Sequence, residues 1–143
     1  MKVRIKRFDK SVPLPKYHTE GAACFDLAAR ETVRIMPGEI GYVPLNIAVE
    51  TPKDHFLLLA ARSSMHKRGL MLANGVGIGD SDFVGDDDEY RAVCLNFTEG
   101  PVVVEKGDRI AQGMFVSIKK ADWEEVDALG NKTRGGLGST GRK

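Results

Sequence analysis

Short stretches of alternating apolar and polar residues run along most of the chain. Residues 2–6 (KVRIK) and 32–35 (TVRI) alternate strictly, which is typical of a strand with one buried face. The second stretch is followed by Pro37-Gly38, a pair that favours a tight turn. Further extended stretches are predicted at residues 42–49, 56–60, 70–72, 90–97, 102–104 and 110–118, with Pro44 marking an edge or a bend.

Helical periodicity, by contrast, is nearly absent. Only residues 63–68 favour one or two helical turns, with a serine placed to cap them. Many short strands separated by turn signals about every 8–12 residues are typical of an all-β sandwich or barrel. The pattern therefore predicts an all-β fold, and no internal repeat is visible.

Composition narrows the class of protein. The chain has 143 residues, which suits one domain with its own core. Its 21 Lys and Arg residues are balanced by 20 Asp and Glu residues, a net charge of +1, so we expect no nucleic-acid partner. The longest apolar run, residues 56–61, is far shorter than the ~20 residues that cross a bilayer, and residues 1–10 do not resemble a targeting signal. We expect no membrane partner and a cytoplasmic location.

Residue types that commonly bind metals are sparse. The two cysteines, Cys24 and Cys94, are too few for a disulfide framework or a zinc site, and we expect both to be reduced and buried. The three histidines, His18, His55 and His66, show no ligand spacing. We expect a solvated or capping role for each.

Candidate chemistry is concentrated in residues 77–85 (GIGDSDFVG). Asp80 and Asp82 share one face if this segment is extended, and the flanking glycines would let the backbone approach a ligand. A carboxylate in such a place can act as a general base or hold a metal ion. The alternative is an ordinary turn, in which Asp and Gly are also common. The acidic residues 86–89 (DDDE) are expected to form a solvated hairpin tip.

A second cluster, residues 61–64 (ARSS), directly follows an apolar stretch. Arg62 supplies a forked donor that suits phosphate. The serines begin the predicted helix, whose free amides favour an anion. The alternative is a simple helix cap beside a surface arginine.

Three more residues stand out beside predicted strands. Arg109 lies in a turn and could pair with Asp108 or another acid, or bind a ligand. Asp26 lies in an apolar stretch (ACFDL), where a carboxylate requires a hydrogen-bonding partner or a cation. Trp123 is expected to be a packing residue that anchors the chain before its glycine-rich C-terminal tail.

Residues 130–141 differ in composition from the rest of the chain, because five of these twelve residues are glycine. A segment with so little to bury is expected to be mobile when alone. One interpretation is a disordered end. The other is a phosphate clamp, since a cation, glycine amides and two hydroxyls are the parts that such a clamp needs.

The clusters follow one another in an order that resembles the trimeric all-β dUTPase (deoxyuridine 5′-triphosphate nucleotidohydrolase) family. The motifs of that family are matched at residues 23–29, 61–70, 74–85, 107–112 and 134–141, and the match covers nearly the whole chain from Lys16 onward. The resemblance implies an all-β, jelly-roll-like barrel or sandwich with one short helix and a flexible C-terminal arm. It also implies a homotrimer, in which residues 1–128 form the β domain and the arm, residues 129–143, closes a neighbouring active site.

The resemblance also implies an activity and the residues that serve it. The activity is hydrolysis of dUTP to dUMP and pyrophosphate by Mg²⁺-assisted attack of water on the α-phosphorus, which limits uracil incorporation into DNA and supplies dUMP. By position, Asp80 matches the catalytic aspartate, and Asp26 matches the aspartate that holds Mg²⁺ through water. The positions that match substrate-binding residues are Arg62, Ser63, Ser64 and Gln112 at the phosphates, Asn74, Gly77, Ile78, Gly79 and Phe83 at the nucleoside, Arg91 and Arg109 as further contacts, and Lys132, Arg134, Leu137, Gly138, Ser139 and Thr140 in the arm.

The sequence departs from the family pattern in several places. Phe83 stands where the family usually has Tyr under the deoxyribose, so a ring remains to block a ribose 2′-hydroxyl but the phenol is absent. Leu137 replaces the Phe that stacks over uracil. The family spacing places an arginine at Lys132, whereas this chain has Arg134, and either cation could meet the γ-phosphate. Residues 86–88 resemble a local insertion. We expect activity with weaker closure of the arm.

Two other functions are left open by the sequence. A dCTP deaminase or a bifunctional relative would share the fold, although a deaminase usually activates water through a core glutamate rather than through a hairpin such as Asp80-Ser81-Asp82. A catalytically weak, dUTP-binding regulatory trimer is the other alternative, because Phe83, Leu137 and the arm depart from the pattern of the family.

Overall fold

The computed structural model describes residues 1–139 and 141. Within these residues the chain forms eleven β-strands and one short 3₁₀ helix, Met65–Arg68. The strands are β1 (Ile5–Arg7), β2 (Phe25–Ala28), β3 (Val33–Ile35), β4 (Ile40–Pro44), β5 (Ile47–Val49), β6 (His55–Ala61), β7 (Leu70–Leu72), β8 (Gly77–Gly79), β9 (Arg91–Asn96), β10 (Val102–Val104) and β11 (Arg109–Ser117).

The strands form four antiparallel sheets. The largest has the order β2–β11–β6–β8, so β8 is an edge strand. A three-stranded sheet has the order β4–β9–β7, and two ribbons pair β1 with β5 and β3 with β10. Most neighbours in a sheet are far apart in the sequence, which is typical of a jelly-roll-like β-sandwich. The predicted all-β fold is confirmed.

One hydrophobic core joins the two larger sheets. Leu27 and Leu57 of the four-stranded sheet are fully buried in the same cluster as Leu70 and Cys94 of the three-stranded sheet. Strand β9 shows how the sequence produces this core, because its residues alternate between less buried and fully buried positions along the whole strand. Successive side chains of a strand point to opposite faces, so the alternating pattern supplies one buried face, made of Ala92, Cys94 and the polar Asn96.

The two cysteines differ in their surroundings. Cys94 is fully buried, and burial raises the pKa of its thiol to about 11. Cys24 is only half-buried, because it precedes β2 on the outer face that Asp26 also occupies, while Phe25 and Leu27 point into the core. Both thiols are free. The prediction that both cysteines are buried is therefore wrong for Cys24.

Several predicted strand boundaries are wrong, and strand pairing explains them. Strand β1 begins at Ile5 rather than at residue 2, since β5 offers only three partners. The predicted strand 42–49 is divided in two by Asn46, whose φ of 66° is not an extended conformation. The buried Asn46 side chain accepts a hydrogen bond from the Asp9 N–H at 2.6 Å and donates one to the Asp9 carbonyl at 3.0 Å, which holds this break in place.

The helical segment is shorter than the pattern predicted. The 3₁₀ helix has four residues, and Ser64 at its start makes no side-chain capping hydrogen bond, so the predicted serine cap is wrong. The helix ends at Gly69, which adopts a φ of 77° that favours glycine. A helix of one turn lacks an appreciable dipole, so helix amides are not a basis for anion binding here. Within residues 1–139 and 141, no helix has the length and apolar character of a membrane span.

Candidate active site

A cleft of about 530 Å³ lies beside β8. We call it the β8 cleft. Strand β8 pairs only with β6, so the peptide groups along its other edge have no strand partner in the described structure. The loop from β7 to β8 connects two different sheets and turns at Gly75, which has a φ of 71° and donates its N–H to the Leu72 carbonyl at 3.0 Å. The structure brings seven predicted site residues together in this cleft: Asn74, Gly77, Ile78, Gly79, Asp80, Phe83 and Arg91.

The glycines of β8 have a packing role that the sequence did not indicate. A Cβ on Gly77 would lie 3.1 Å from the Cβ of Leu59, and a Cβ on Gly79 would collide with the Tyr90 ring. Both glycines therefore let β8 approach the protein beneath it. The part of β8 that is free to contact a ligand is instead its unpaired edge.

Asp80 follows the last residue of β8 and begins a turn. The Phe83 N–H donates to the Asp80 carbonyl at 3.2 Å, so residues 80–83 are not extended. The segment therefore does not meet the condition, an extended backbone, under which Asp80 and Asp82 were expected to share one face. Both carboxylates are exposed, but only Asp80 lines the β8 cleft.

The other residues that line the β8 cleft were missed at the sequence level; they are Leu59, Asp87, Asp88, Glu89 and Tyr90. Tyr90 is 4% exposed, and burial raises the pKa of its phenol. The nearby Thr51 hydroxyl lowers that pKa in part, although the two hydroxyl groups do not meet hydrogen-bond geometry. The only signal available was the position of Tyr90 at the start of a predicted strand.

Glu89 departs from the predicted solvated hairpin tip. Its side chain is 6% exposed and forms a two-pronged ion pair with Arg30, with N–O distances of 2.8 and 3.0 Å. The Asn46 N–H donates to the same carboxylate at 3.0 Å. The prediction is therefore wrong for Glu89, because the last residue of the acidic run turns inward to meet Arg30, whose side chain is only 29% exposed.

A second group of predicted residues surrounds Asp26 on β2. The Asp26 carboxylate lies 3.1 Å from Arg62 Nε and 3.1 Å from an Arg109 guanidinium nitrogen. His18 Nε2 lies 3.7 Å from the same carboxylate. We call these four residues the arginine cluster. Arg109 therefore pairs with another acid rather than with Asp108, which pairs with Arg68. His18 was expected only to be solvated or to cap, and no spacing signal connects it to Asp26.

The electrostatics of the arginine cluster favour an anion. Two guanidinium groups share one carboxylate, so the cluster keeps a positive charge even while Asp26 is paired. The Asp26 side chain is only 13% exposed, whereas that of Arg109 is 47% exposed. The exposed donors can therefore turn to a phosphate without leaving the site. Arg62 also donates to the Arg109 carbonyl at 3.0 Å, which fixes the two arginines relative to each other.

Two serines and a glutamine lie beside the arginine cluster. Ser63 and Ser64 follow Arg62 directly, and the Ser64 hydroxyl makes no capping bond. Gln112 pairs with Asp26 across the sheet and donates its side-chain amide to the Ala61 carbonyl at 2.9 Å. The structure thus brings together Asp26 with the residues that were predicted at the phosphates.

The β8 cleft and the arginine cluster are separate within one chain. Gln112 pairs with Asp26 and Ala60, whereas Gly79, just before Asp80, pairs with Leu57. Ala60 and Leu57 are ~10 Å apart along β6, and three strand spacings of ~4.8 Å separate β2 from β8. The backbones of Asp26 and of the turn that begins at Asp80 are therefore on the order of 17 Å apart.

The arm residues contact neither group. Lys132, Arg134, Leu137, Gly138 and Ser139 are all exposed, and Thr140 lies outside the described residues. Trp123 is 94% exposed, so the prediction that it anchors packing is wrong within this chain. The last strand, β11, ends at Ser117, and the division between residues 1–128 and 129–143 stays a prediction.

Comparison with known proteins identifies the class. The sequence signature of the dUTPase family matches residues 10–141. The chain therefore belongs to the dUTPase family. It is 38% identical over 148 aligned positions to the deoxyuridine 5′-triphosphate nucleotidohydrolase of Dictyoglomus turgidum, and the alignment covers 99% of each chain.

Solved structures agree with this assignment. The dUTPase of Streptococcus mutans superposes with a TM-score of 0.77 at 32% identity, covering 83% of this chain and 98% of that one. A variant of the dUTPase of Staphylococcus aureus phage phi11, whose structure shows the coordination of a structural Mg(II) ion, superposes with a TM-score of 0.81. At 18% identity, with 92% of this chain and 100% of that one covered, the phage protein supports the fold alone.

Proposed function

We propose that this chain hydrolyses dUTP to dUMP and pyrophosphate, and so limits uracil incorporation into DNA and supplies dUMP. The observation that carries the proposal is the Asp80 carboxylate, which is exposed at the end of an edge strand and lines the β8 cleft. A carboxylate in this position can accept a proton from a water molecule. Membership of the dUTPase family supports the choice of substrate.

The β8 cleft suits an uncharged planar base. The free edge of β8 presents peptide N–H and C=O groups, which can pair with the N3–H and the carbonyl oxygens of uracil as a partner strand would. Ile78 is 55% exposed and Phe83 is 37% exposed, so both offer apolar contact. We assign the sugar to Phe83, whose ring would block a ribose 2′-hydroxyl.

The arginine cluster suits the triphosphate. Arg62 and Arg109 can exchange one carboxylate partner for phosphate oxygens, which suit the forked guanidinium donors equally well. The hydroxyls of Ser63 and Ser64 and the amide of Gln112 add neutral donors beside them. Donors of this kind stabilise the charge that develops on the leaving pyrophosphate.

Asp80 would act as the general base. It orients a water molecule in line with the α-phosphorus and accepts its proton as the water oxygen bonds to phosphorus. The bond from the α-phosphorus to the bridging oxygen breaks, and pyrophosphate leaves with the electron pair. The proton on Asp80 is then released to solvent, which restores the carboxylate.

A homotrimer accounts for the separation of the two groups. Asp80 must reach the α-phosphorus while Arg62 holds the adjoining phosphates, yet Asp80 and Asp26 lie on the order of 17 Å apart in one chain. We infer that the β8 cleft of one subunit faces the arginine cluster of a second. The arm of a third subunit would cover the site with Lys132 or Arg134 at the γ-phosphate and with Leu137 over the base. The exposure of the arm in a single chain supports this arrangement.

The donor set fits Mg²⁺ that arrives with the substrate. Among the residues that the structure describes, no three His, Cys, Asp or Glu side chains are grouped to hold a metal ion. Mg²⁺ usually keeps several waters and takes substrate phosphates with one or two carboxylates, so Asp26 acting through water suffices. When bound, the ion would neutralise phosphate charge, and Asp26 would fix its hydration shell.

A cytoplasmic location stays a prediction.

The test identifies the reaction products and determines which product carries oxygen from labelled water. We expect the protein to release pyrophosphate and dUMP from dUTP with Mg²⁺, and in ¹⁸O-water to place the label in dUMP. Label in pyrophosphate would contradict attack at the α-phosphorus. Ammonia released from dCTP would favour a deaminase, and dUTP binding without products would favour a regulatory trimer.

A further inference from the structure

The ring of Tyr90 forms the floor of the β8 cleft. Its side chain is almost fully buried but still lines the cleft. The backbone of Tyr90 is held by two hydrogen bonds. Its N–H donates to the Ile47 carbonyl at 3.0 Å, and its carbonyl accepts from the Leu45 N–H at 2.9 Å. Tyr90 is therefore a rigid surface on which neighbouring residues can rest.

Both ends of the Asp80 turn rest on this ring. At one end, Gly79 packs so closely that an added Cβ would collide with the Tyr90 ring and hydroxyl. At the other end, the Phe83 ring packs edge-to-face on Tyr90, with centroids 5.1 Å apart and planes at 77°. Asp80, Ser81 and Asp82 lie between these two contacts.

The turn has few other attachments. In the part of the chain that the structure describes, no hydrogen bond joins the side chains of Asp80, Ser81 or Asp82 to the rest of the protein. The backbone bond from Phe83 to Asp80 lies within the turn itself. Apart from the pairing of Gly79 with Leu57 on β6, the packing of Gly79 and Phe83 on Tyr90 is therefore what sets the place of the Asp80 carboxylate.

We propose that Tyr90 is a positioning residue, whose ring sets the positions of the Asp80 carboxylate and the Phe83 ring. This role rests on the proposed function, in which Asp80 is the base and Phe83 contacts the sugar. Tyr90 therefore controls both the rate of hydrolysis and the discrimination between deoxyribose and ribose.

The ring, rather than the hydroxyl, carries this role. The Tyr90 hydroxyl is buried and has no hydrogen-bond partner among the described residues. Removing an unpartnered hydroxyl breaks no hydrogen bond. Tyr90→Phe should therefore behave as wild type, whereas Tyr90→Leu removes the surface on which Gly79 and Phe83 pack.

The experiment compares Tyr90→Leu with Tyr90→Phe in the full-length protein. For Tyr90→Leu we expect kcat for dUTP to fall about 10- to 100-fold, since small displacements of reacting groups have effects of this size. We also expect its preference for dUTP over UTP to fall. A matched control is Val104→Ala, which disturbs a fully buried residue that does not line the cleft. It should lower the melting temperature and leave kcat and the preference unchanged.

Several results would overturn the proposal. One is a Tyr90→Leu protein that keeps the wild-type kcat and preference, and another is a Tyr90→Phe protein that loses as much as Tyr90→Leu. A crystal structure of Tyr90→Leu gives a readout independent of activity, because an unmoved Asp80–Phe83 turn contradicts the positioning role even if wild type fails to hydrolyse dUTP. If Tyr90→Leu does not fold, Gly79→Ala tests the same contact from the other side, and an unchanged kcat there overturns the proposal.

Discussion

The β8 cleft and the arginine cluster lie on the same four-stranded sheet but are formed by different kinds of chemical group. The cleft is made by an unpaired strand edge, two tightly packed glycines and two aromatic rings. The cluster is made by charged side chains that already satisfy one another, with Asp26 shared by Arg62 and Arg109. In the proposed function, we expect the cleft to select by a shape that is fixed before binding, and the cluster to select by charge and to exchange partners when a phosphate arrives.

This difference predicts how each region responds to substitution. A fixed shape is disturbed by any change in volume beneath it, as at Gly79 or Tyr90. A cluster of charged side chains tolerates changes in side-chain volume, but it depends on the charge that each residue carries. The predictions below test the contrast, in order of decreasing effect.

The largest effect is expected at Asp80. Asp80→Asn keeps the shape of the cleft but cannot accept a proton, so kcat should fall about 10²- to 10⁴-fold while dUTP affinity stays within about tenfold of wild type. Steady-state kinetics and equilibrium binding measure the two quantities. Asp82→Asn is the control, because Asp82 is exposed in the same turn and does not line the cleft. Retention of most activity by Asp80→Asn would rule out its role as the base.

Deletion of residues 132–143 should come next. Loss of the arm removes the donors proposed for the γ-phosphate, so turnover should fall about a hundredfold, the usual cost of losing such a donor. Thermal unfolding should be unchanged, because the described arm residues are exposed and have no core contacts to lose. An unchanged rate would show that the arm has no part in catalysis.

A mixing experiment tests whether the cleft and the cluster that act together belong to different subunits. Asp80→Asn and Arg62→Ala should each be nearly inactive alone. The mixture of trimers formed by refolding equal amounts together should recover about one quarter of wild-type activity, since about three quarters of the trimers are mixed and each of these has one complete site in three. No recovery in trimers shown by mass spectrometry to be mixed would place the whole site in one chain.

The smallest effect on activity is expected at the buried ion pair behind the cleft. Arg30→Ala leaves the buried Glu89 carboxylate without its partner and should lower the free energy of unfolding by about 3 kcal/mol. Arg4→Ala breaks an exposed pair with Glu50, with side chains 83% and 49% exposed, and should cost much less than Arg30→Ala, because solvent screens an exposed pair. Chemical denaturation at one fixed protein concentration measures both, and equal losses would show that burial does not distinguish the two pairs.

The strands were predictable wherever one face is buried and the other is solvated. Residues 70–72 and 102–104 form β7 and β10 as predicted, although every residue in these two short stretches is apolar. Strand β2 was not predicted, although Phe25, Asp26 and Leu27 alternate, because the strand has only four residues and the residues that flank these three are also apolar. The break at Asn46 depends on a hydrogen bond to Asp9, which is 37 residues away, and no local pattern records such a contact.

The candidate site was predictable residue by residue but not in its geometry. Motif spacing located Asp80, Arg62 and Asn74. It gave no sign that Arg109 pairs with Asp26, because the two are 83 residues apart. Tyr90 and Glu89 carry no motif, and their importance comes only from what packs against them.

The sequence by itself determined that the chain is a β protein and that it resembles the dUTPases, because alternation and motifs are properties of residues close together in the chain. Only the tertiary structure decided which charges meet and which aromatic ring supports the proposed base. It also decided that the two halves of the proposed site lie far apart on one sheet. The physical reason is that the register of distant strands sets these distances, and that register depends on the packing of the whole core.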